Sequence, residues 1–87
     1  NVRHLLSGAQ MHTILLSKYG KEEDYRIAEA YYLEGLQIGP NVPPLLYGLF
    51  ELYRGVGNTP DAVELAKIIT SNWPGDEGMK NYLMGTQ

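Results

Sequence analysis

Two histidines are the first residues whose type and spacing could support chemistry. His4 and His12 lie eight positions apart, a spacing that can place both side chains on one face of a helix. A metal site needs further ligands that converge on that face, and the spacing of the other residues indicates none. The chain also has no cysteine, which excludes disulfides and thiolate ligands. We therefore predict structural or incidental histidines, with no bound metal and no cofactor.

The sequence also offers no clear pattern for catalysis or phosphate binding. Ser7 and Ser17 lack an acid and a histidine with any reason to converge on them. The Gly55-Val56-Gly57 segment resembles part of a phosphate loop, but it follows a predicted helix rather than a strand and lacks a third glycine. We expect this segment to end a helix, and we expect the protein not to be an enzyme.

Composition narrows the class of protein further. The 87 residues are 44% hydrophobic, which suits one domain with one core. A net charge of -3 argues against nucleic acid as a partner, because that partner calls for a basic face. The apolar runs are too short for direct insertion into a membrane. The chain begins with Asn1 rather than Met, so we expect a segment of a longer protein.

Helical periodicity predicts an all-α domain of five helices. The first is expected over residues 2–19 and ends at Gly20, although Ser7 and Gln10 could form a capping box that starts it later. The others are expected to end near residues 38, 55, 72 and 84. The N-caps predicted for the second, fourth and last helices are Asp24, Thr59 and Asp76. The stripes that we expect to face inward are Leu5, Ala9, Met11, His12, Leu15, Leu16 and Tyr19; Ala28, Tyr31, Tyr32, Gly35 and Leu36; Leu45, Leu46, Leu49, Leu52, Tyr53 and Val56; Ala62, Leu65, Ala66 and Ile69; and Met79, Tyr82 and Leu83.

A shift of 34 residues aligns the chain with itself, which indicates an internal repeat. The shift places Leu15 on Leu49, Tyr19 on Tyr53, Ala28 on Ala62 and Pro40 on Pro74. Both helices and both breaks repeat without an insertion. The pattern predicts two helix hairpins, at about 9–42 and 43–76, that stack and bury each other's apolar faces, with a terminal helix at about 76–84.

These shared residues resemble the tetratricopeptide repeat (TPR) family. The positions that match the family pattern are Leu15, Tyr19, Asp24, Tyr25, Ala28, Tyr32, Gly35 and Pro40 in the first unit, and Leu49, Tyr53, Gly57, Ala62, Ala66, Ile69 and Pro74 in the second. The pattern departs where Leu16 and Phe50 replace a small residue, where His12 and Leu46 replace a tryptophan, and where Ala66 and Ile69 exchange the expected large and small residues. The resemblance implies a single α-solenoid domain over residues 1–87.

The resemblance also implies a concave groove that binds an extended peptide. The groove residues that it assigns by repeat position are Gln10, Thr13, Ser17, Tyr47, Glu51, Arg54 and Asn81. Tyr47 and Arg54 share one face of the third helix and are expected to contribute most to binding, with little effect of Tyr47→Ala on stability. The alternative is that these residues form only the solvated side of a repeat. The lysine and asparagine with which some relatives hold a C-terminal carboxylate do not occur at these positions.

The predicted function is that of a non-catalytic, protein-binding scaffold module. The alternative is a structural module with no ligand of its own, which serves as a soluble tail or spacer of a larger protein. That larger protein could be anchored in a membrane. The apolar C-terminal end at Met79, Leu83 and Met84 is a further candidate contact surface, either for additional repeats or for self-association. An outer edge of the repeat is an alternative to the groove as the binding surface.

Overall fold

The computed structural model describes residues 1–86 and consists of five α-helices joined by short turns. The helices are α1 (Val2–Tyr19), α2 (Glu22–Ile38), α3 (Pro43–Gly55), α4 (Thr59–Asn72) and α5 (Glu77–Gly85). No strand occurs within the described range. The prediction of an all-α fold with five helices is therefore confirmed.

The ends of the helices follow local chemistry, with two corrections. Asn1 caps α1 by accepting a hydrogen bond from the His4 amide at 2.9 Å, so the late start at Ser7 is wrong. At the other end, Gly20 adopts the left-handed conformation with φ of 66°, which its missing Cβ permits. Pro43 and Pro44 occupy the first turn of α3, where their missing amide hydrogens leave no helical bond unmade.

The two corrections concern N-caps. Lys21, not Asp24, is the N-cap of α2, and its side chain makes no capping hydrogen bond. Asp24 lies inside the first turn, where its carboxylate accepts a hydrogen bond from His12 Nδ1 at 2.9 Å. In α4 the cap is Asn58 rather than Thr59, because the Asn58 side chain accepts from the Asp61 amide.

The core lies between successive helices. Each helix packs against the next along the chain, and α1 also contacts α3. Leu45, Leu49 and Ile69 are the largest side chains that are fully buried. Ala28 and Ala62 are buried as well, as expected for residues of the inward-facing stripes.

Two glycines allow α2 and α3 to approach closely. A Cβ built on Gly48 would lie 2.5 Å from the Tyr32 ring, and one built on Gly35 would lie 3.0 Å from a methyl group of Leu45. Real side chains do not tolerate the first distance, so Gly48 is required for this contact. This tight contact fixes α3 against α2.

Three residues of the predicted inner stripes are exposed. Met11 and Tyr19 of α1 are more than half exposed, and Val56 follows the end of α3 and faces solvent. In α1 the cause is that no helix within residues 1–86 covers the side that carries these two residues. The equivalent side of α3 is covered by α2. For Val56 the cause is that the helix ends one residue earlier.

Candidate functional site: a face formed by α1, α3 and α5

Two neighbouring clefts, each of about 390 Å³, lie on the face formed by α1, α3 and α5. Thr13, Ser17 and Glu51 line the cleft between α1 and α3. Tyr47, Glu51 and Arg54 line the cleft between α3 and α5. Glu51 therefore belongs to both clefts, and five of the seven residues predicted for the groove line one of them.

The two remaining predicted residues do not line either cleft. Gln10 and Asn81 are both exposed, so they are accessible without belonging to a concave site. Gln10 precedes the cleft along α1, and Asn81 lies on α5. The structure thus brings the central five residues together and leaves these two outside.

Thr13 and Ser17 contribute differently to the first cleft. The Thr13 hydroxyl donates a hydrogen bond to the Ala9 carbonyl at 2.8 Å, which uses its only hydrogen and leaves its oxygen as an acceptor. Ser17 is exposed. The cleft therefore offers an adaptable hydroxyl at Ser17, whereas the Thr13 hydroxyl also meets the Tyr32 hydroxyl within the fold. Leu16 and Leu52 supply the apolar wall.

A surface ion pair occupies the boundary between the clefts. Arg54 donates to Glu51 at 2.6 Å, one helical turn away, and both side chains are more than half exposed. The hydrogen bond to Glu51 and its negative charge raise the pKa of Arg54. Because the pair is exposed, it contributes little to folding, and its groups can exchange partners at low cost.

Tyr47 is not a free side chain, contrary to the sequence-based expectation. Its hydroxyl donates a hydrogen bond to the Asp76 carboxylate, and its ring lies 6.0 Å from that of Trp73. The ring is half-buried and packs against the core. Tyr47 therefore holds α3 to the start of α5, and we expect Tyr47→Ala to destabilise the fold rather than leave it unchanged.

Asp76 connects this contact to the capping of α5. The Met79 amide donates to its second carboxylate oxygen at 3.0 Å, as the predicted cap requires. The hydrogen bond from Tyr47, followed by those from the Met79 and Gly78 amides, lowers the pKa of Asp76. The same hydrogen bond raises the pKa of Tyr47. The contact is thus made by an ionised carboxylate and a neutral phenol at ordinary pH.

Sequence-based reasoning missed the aromatic side of the second cleft. Phe50 and Tyr82 meet edge to face with ring centroids 4.9 Å apart, and both line the cleft. Their helical positions indicated apolar packing, but the residues lie 32 positions apart and only the tertiary contact makes them one wall. This pair gives the second cleft a rigid surface on which an apolar side chain can pack.

A third cleft, of about 440 Å³, lies on the opposite face between α2 and α4. Its lining is mostly apolar and includes Leu33, Leu36 and Ile68, with Asp61 and Glu64 as acidic members. None of the residues predicted for the groove lies there. It is the natural comparison surface for any experiment on the α1–α3–α5 face.

Other kinds of site receive no support from the geometry. Within residues 1–86, no three side chains of the histidine, cysteine, aspartate and glutamate types are grouped so that they could hold a metal ion. None of the five helices described is long and apolar enough to cross a membrane. The chain matches no known protein family, no curated protein and no solved structure.

Proposed function

We propose that the chain is a TPR-like α-solenoid module that binds an extended peptide segment of a partner protein along the α1–α3–α5 face. In this proposal α1 with α2 and α3 with α4 are two equivalent hairpins, at about 9–42 and 43–76, and α5 is the first helix of a third unit. The module is non-catalytic and acts as a protein-binding scaffold.

Two features support the repeat arrangement. First, α1 contacts α3 although α2 lies between them in the sequence, as expected when the first helices of stacked hairpins share one face. Second, Ala28 and Ala62 are equivalent in the 34-residue alignment and both are fully buried. Equal burial at equivalent positions is expected if both hairpins close in the same way.

The observation that carries the binding proposal is the continuity of the two clefts through Glu51. Together they form a surface that crosses α1, α3 and α5, which suits an extended chain better than a compact ligand. Exposed donors and acceptors at Ser17, Glu51 and Arg54 can bond a peptide backbone. Apolar walls on either side can receive its alternate side chains.

A second candidate function, a structural spacer, is favoured by a different observation. Arg54 already pairs with Glu51, and the Tyr47 hydroxyl already bonds Asp76. Polar groups that are satisfied within the fold do not need a partner, so the face could be a solvated surface only. The spacer hypothesis predicts that no peptide binds this face selectively.

The test is a selection for binding from a phage-displayed library of random 12-residue peptides. The best peptide is then titrated against the wild-type protein and the double variant Glu51→Ala/Arg54→Ala. We expect the double variant to weaken binding by more than about fivefold, corresponding to about 1 kcal/mol. The matched control is Glu64→Ala/Lys67→Ala, which removes an exposed pair of the same i,i+3 spacing from α4.

The control variant is expected to bind the peptide as tightly as the wild-type protein. Equal affinity of all three proteins would show that the peptide binds elsewhere and would contradict the proposal. Failure to select any saturable binder would favour the spacer hypothesis. A circular dichroism spectrum of each variant checks that the helices remain intact.

A further inference from the structure

One face of α1 has the composition of a buried surface, but none of the five helices in the described range covers it. Met11, Ile14 and Tyr19 are 54%, 58% and 67% exposed. The Met11 side chain also lines a cleft of about 260 Å³ with His4 and Tyr31. Three large, exposed side chains on one 18-residue helix, of which Met11 also lines a cleft, are more than scattered surface hydrophobics.

The equivalent face of α3 is buried against α2. A 34-residue shift takes Met11 to Leu45 and Tyr19 to Tyr53, which are only 0% and 5% exposed. Leu45 packs on Gly35 of α2. The α2–α3 contact therefore shows what covers such a face when it has a partner, namely the preceding α-helix, which presents Gly35 to Leu45.

Charge adds a second requirement. The basic residues Arg3 and Lys18 lie on α1, whereas all ten acidic residues of the chain occur at or after Glu22. A helix with apolar and basic groups and no acid attracts an acidic partner and disfavours a second copy of itself. The counterpart α2 is acidic, with Glu22, Glu23 and Asp24 in its first turn.

We propose that the Met11–Ile14–Tyr19 face of α1 docks an acidic, amphipathic α-helix of a partner protein. This surface is distinct from the peptide groove, although its definition rests on the repeat equivalence set out under the proposed function. The partner helix takes the place on α1 that α2 takes on α3.

The internal contact also specifies three residues of the partner helix. Glu29 of α2 accepts a hydrogen bond from the Tyr53 hydroxyl at 2.7 Å, so a carboxylate is expected opposite Tyr19. Gly35 lies opposite Leu45, so a small residue is expected opposite Met11. The third position, which corresponds to Tyr32 of α2, lies between these two, and there the partner must differ from α2.

Tyr32 of α2 fits only because α3 has Gly48 beneath it. The equivalent residue of α1 is Ile14, whose side chain would occupy the same space. A helix that binds α1 must therefore carry a small residue where α2 carries Tyr32. The partner helix is therefore expected to carry an acidic residue, with small residues three and six positions after it, all on the face that contacts α1.

This requirement provides a sharp probe. The peptide is residues 22–38 of this chain with Tyr32→Ala, acetylated and amidated, and the control peptide has the natural sequence. Binding to the complete 87-residue chain is measured by fluorescence anisotropy. We expect the altered peptide to saturate the protein and the natural peptide to bind at least about tenfold more weakly, because its tyrosine overlaps Ile14.

Variants of the protein locate the contact. Met11→Glu is expected to weaken the altered peptide by at least about tenfold, because it places a charge in the apolar contact and opposes an acidic helix. The matched control is Met84→Glu, at an exposed methionine of α5, and it should leave binding unchanged. Methyl NMR signals of Met11 and Ile14 should shift on titration while those of Leu45 should not.

Four results would overturn the proposal: no saturable binding of the altered peptide, equal binding of both peptides, no effect of Met11→Glu, or displacement of α2 seen as shifts at Leu45. Sedimentation of the unliganded protein as a dimer that Met11→Glu dissociates would assign the face to a second copy instead. The groove is tested separately, because Met11→Glu should not change the affinity of a groove peptide and Glu51→Ala/Arg54→Ala should not change that of the helical peptide.

Discussion

Helices α1 and α3 have similar residues at equivalent positions, yet they experience different surroundings. Leu49 and Tyr53 of α3 are buried, whereas Tyr19 of α1 is exposed and Leu15 is only half-buried. The difference arises because α3 has neighbours on both sides, α2 and α4, whereas α1 has only α2 and one edge of α3. The comparison shows that the sequence determines which face of a helix is apolar. The number of neighbouring helices determines how much the burial of that face stabilises the fold.

The strongest way to break this comparison is to truncate the equivalent leucines. Leu49→Ala should cost about 2–5 kcal/mol of unfolding free energy, because it leaves a cavity in a fully buried site. Leu15→Ala should cost less than about half as much, because water already reaches that side chain. Urea unfolding followed by circular dichroism measures both. Equal losses would show that α1 is as enclosed as α3.

The next effect tests the proposed equivalence of the two hairpins. Ala28→Leu and Ala62→Leu should each cost about 1–3 kcal/mol, because both alanines are fully buried and a larger side chain overpacks the contact. Ala30→Leu, on the exposed side of α2, should stay within about 0.5 kcal/mol of the wild-type protein. An unchanged unfolding midpoint in both buried variants would contradict the equivalence of the hairpins.

The equivalent tyrosines, Tyr53 and Tyr19, are expected to differ in how much their hydroxyl groups stabilise the fold. Tyr53→Phe removes the hydrogen bond to Glu29 and should cost about 1–2 kcal/mol. Tyr19→Phe should cost almost nothing, because that side chain is exposed. Thermal unfolding at neutral pH distinguishes them, and similar losses would mean that Tyr19 also has a buried partner.

The environment of Tyr53 also predicts that the free energy of unfolding depends on pH. Burial, followed by the hydrogen bond to Glu29 and its charge, raises the pKa of Tyr53 above the ordinary value for tyrosine. The stabilisation is therefore complete below the unfolded-state pKa of about 10 and is lost as the pH rises above it. Unfolding free energies from pH 8 to 11 should fall more steeply for the wild-type protein than for Tyr53→Phe. Parallel profiles would contradict this assignment.

The smallest effect sharpens the comparison at the helix caps. Asn58 caps α4, whereas Lys21 occupies the same place on α2 without a side-chain bond and with extended backbone angles. Lys21→Asn should therefore stabilise the first hairpin by about 0.5–1 kcal/mol, and Asn58→Ala should destabilise the second by about 1 kcal/mol. Thermal melts measure both changes, and a loss of stability in Lys21→Asn would show that the lysine has another role.

The helices themselves could be predicted because the signals are local. Glycine and proline interrupt a period of 3.6 residues, and Gly20 and Pro43 lie where the structure starts or ends a helix. The caps were harder. Asp24 has the right type for a cap, but its carboxylate bonds His12 on another helix, and no local pattern shows such a contact.

The outline of the candidate site could be predicted because helical periodicity is a local signal. The prediction was incomplete because some features of the site depend on tertiary contacts. Ser17, Glu51 and Arg54 follow from the face of each helix on which they lie. The bond between Tyr47 and Asp76 joins residues 29 positions apart, and the exposure of Tyr19 depends on a neighbouring helix. Properties of this kind depend on which elements meet, and one sequence contains no direct information about that.

The most direct test of the proposed function is a map of amide chemical-shift changes when the selected 12-residue peptide binds the isotope-labelled protein. We predict that the largest changes follow the two clefts, at Ser17, Glu51 and Arg54. Changes should be small at Leu33 and Ile68 in the cleft between α2 and α4. The opposite distribution, with the changes concentrated between α2 and α4, would contradict binding to the α1–α3–α5 face.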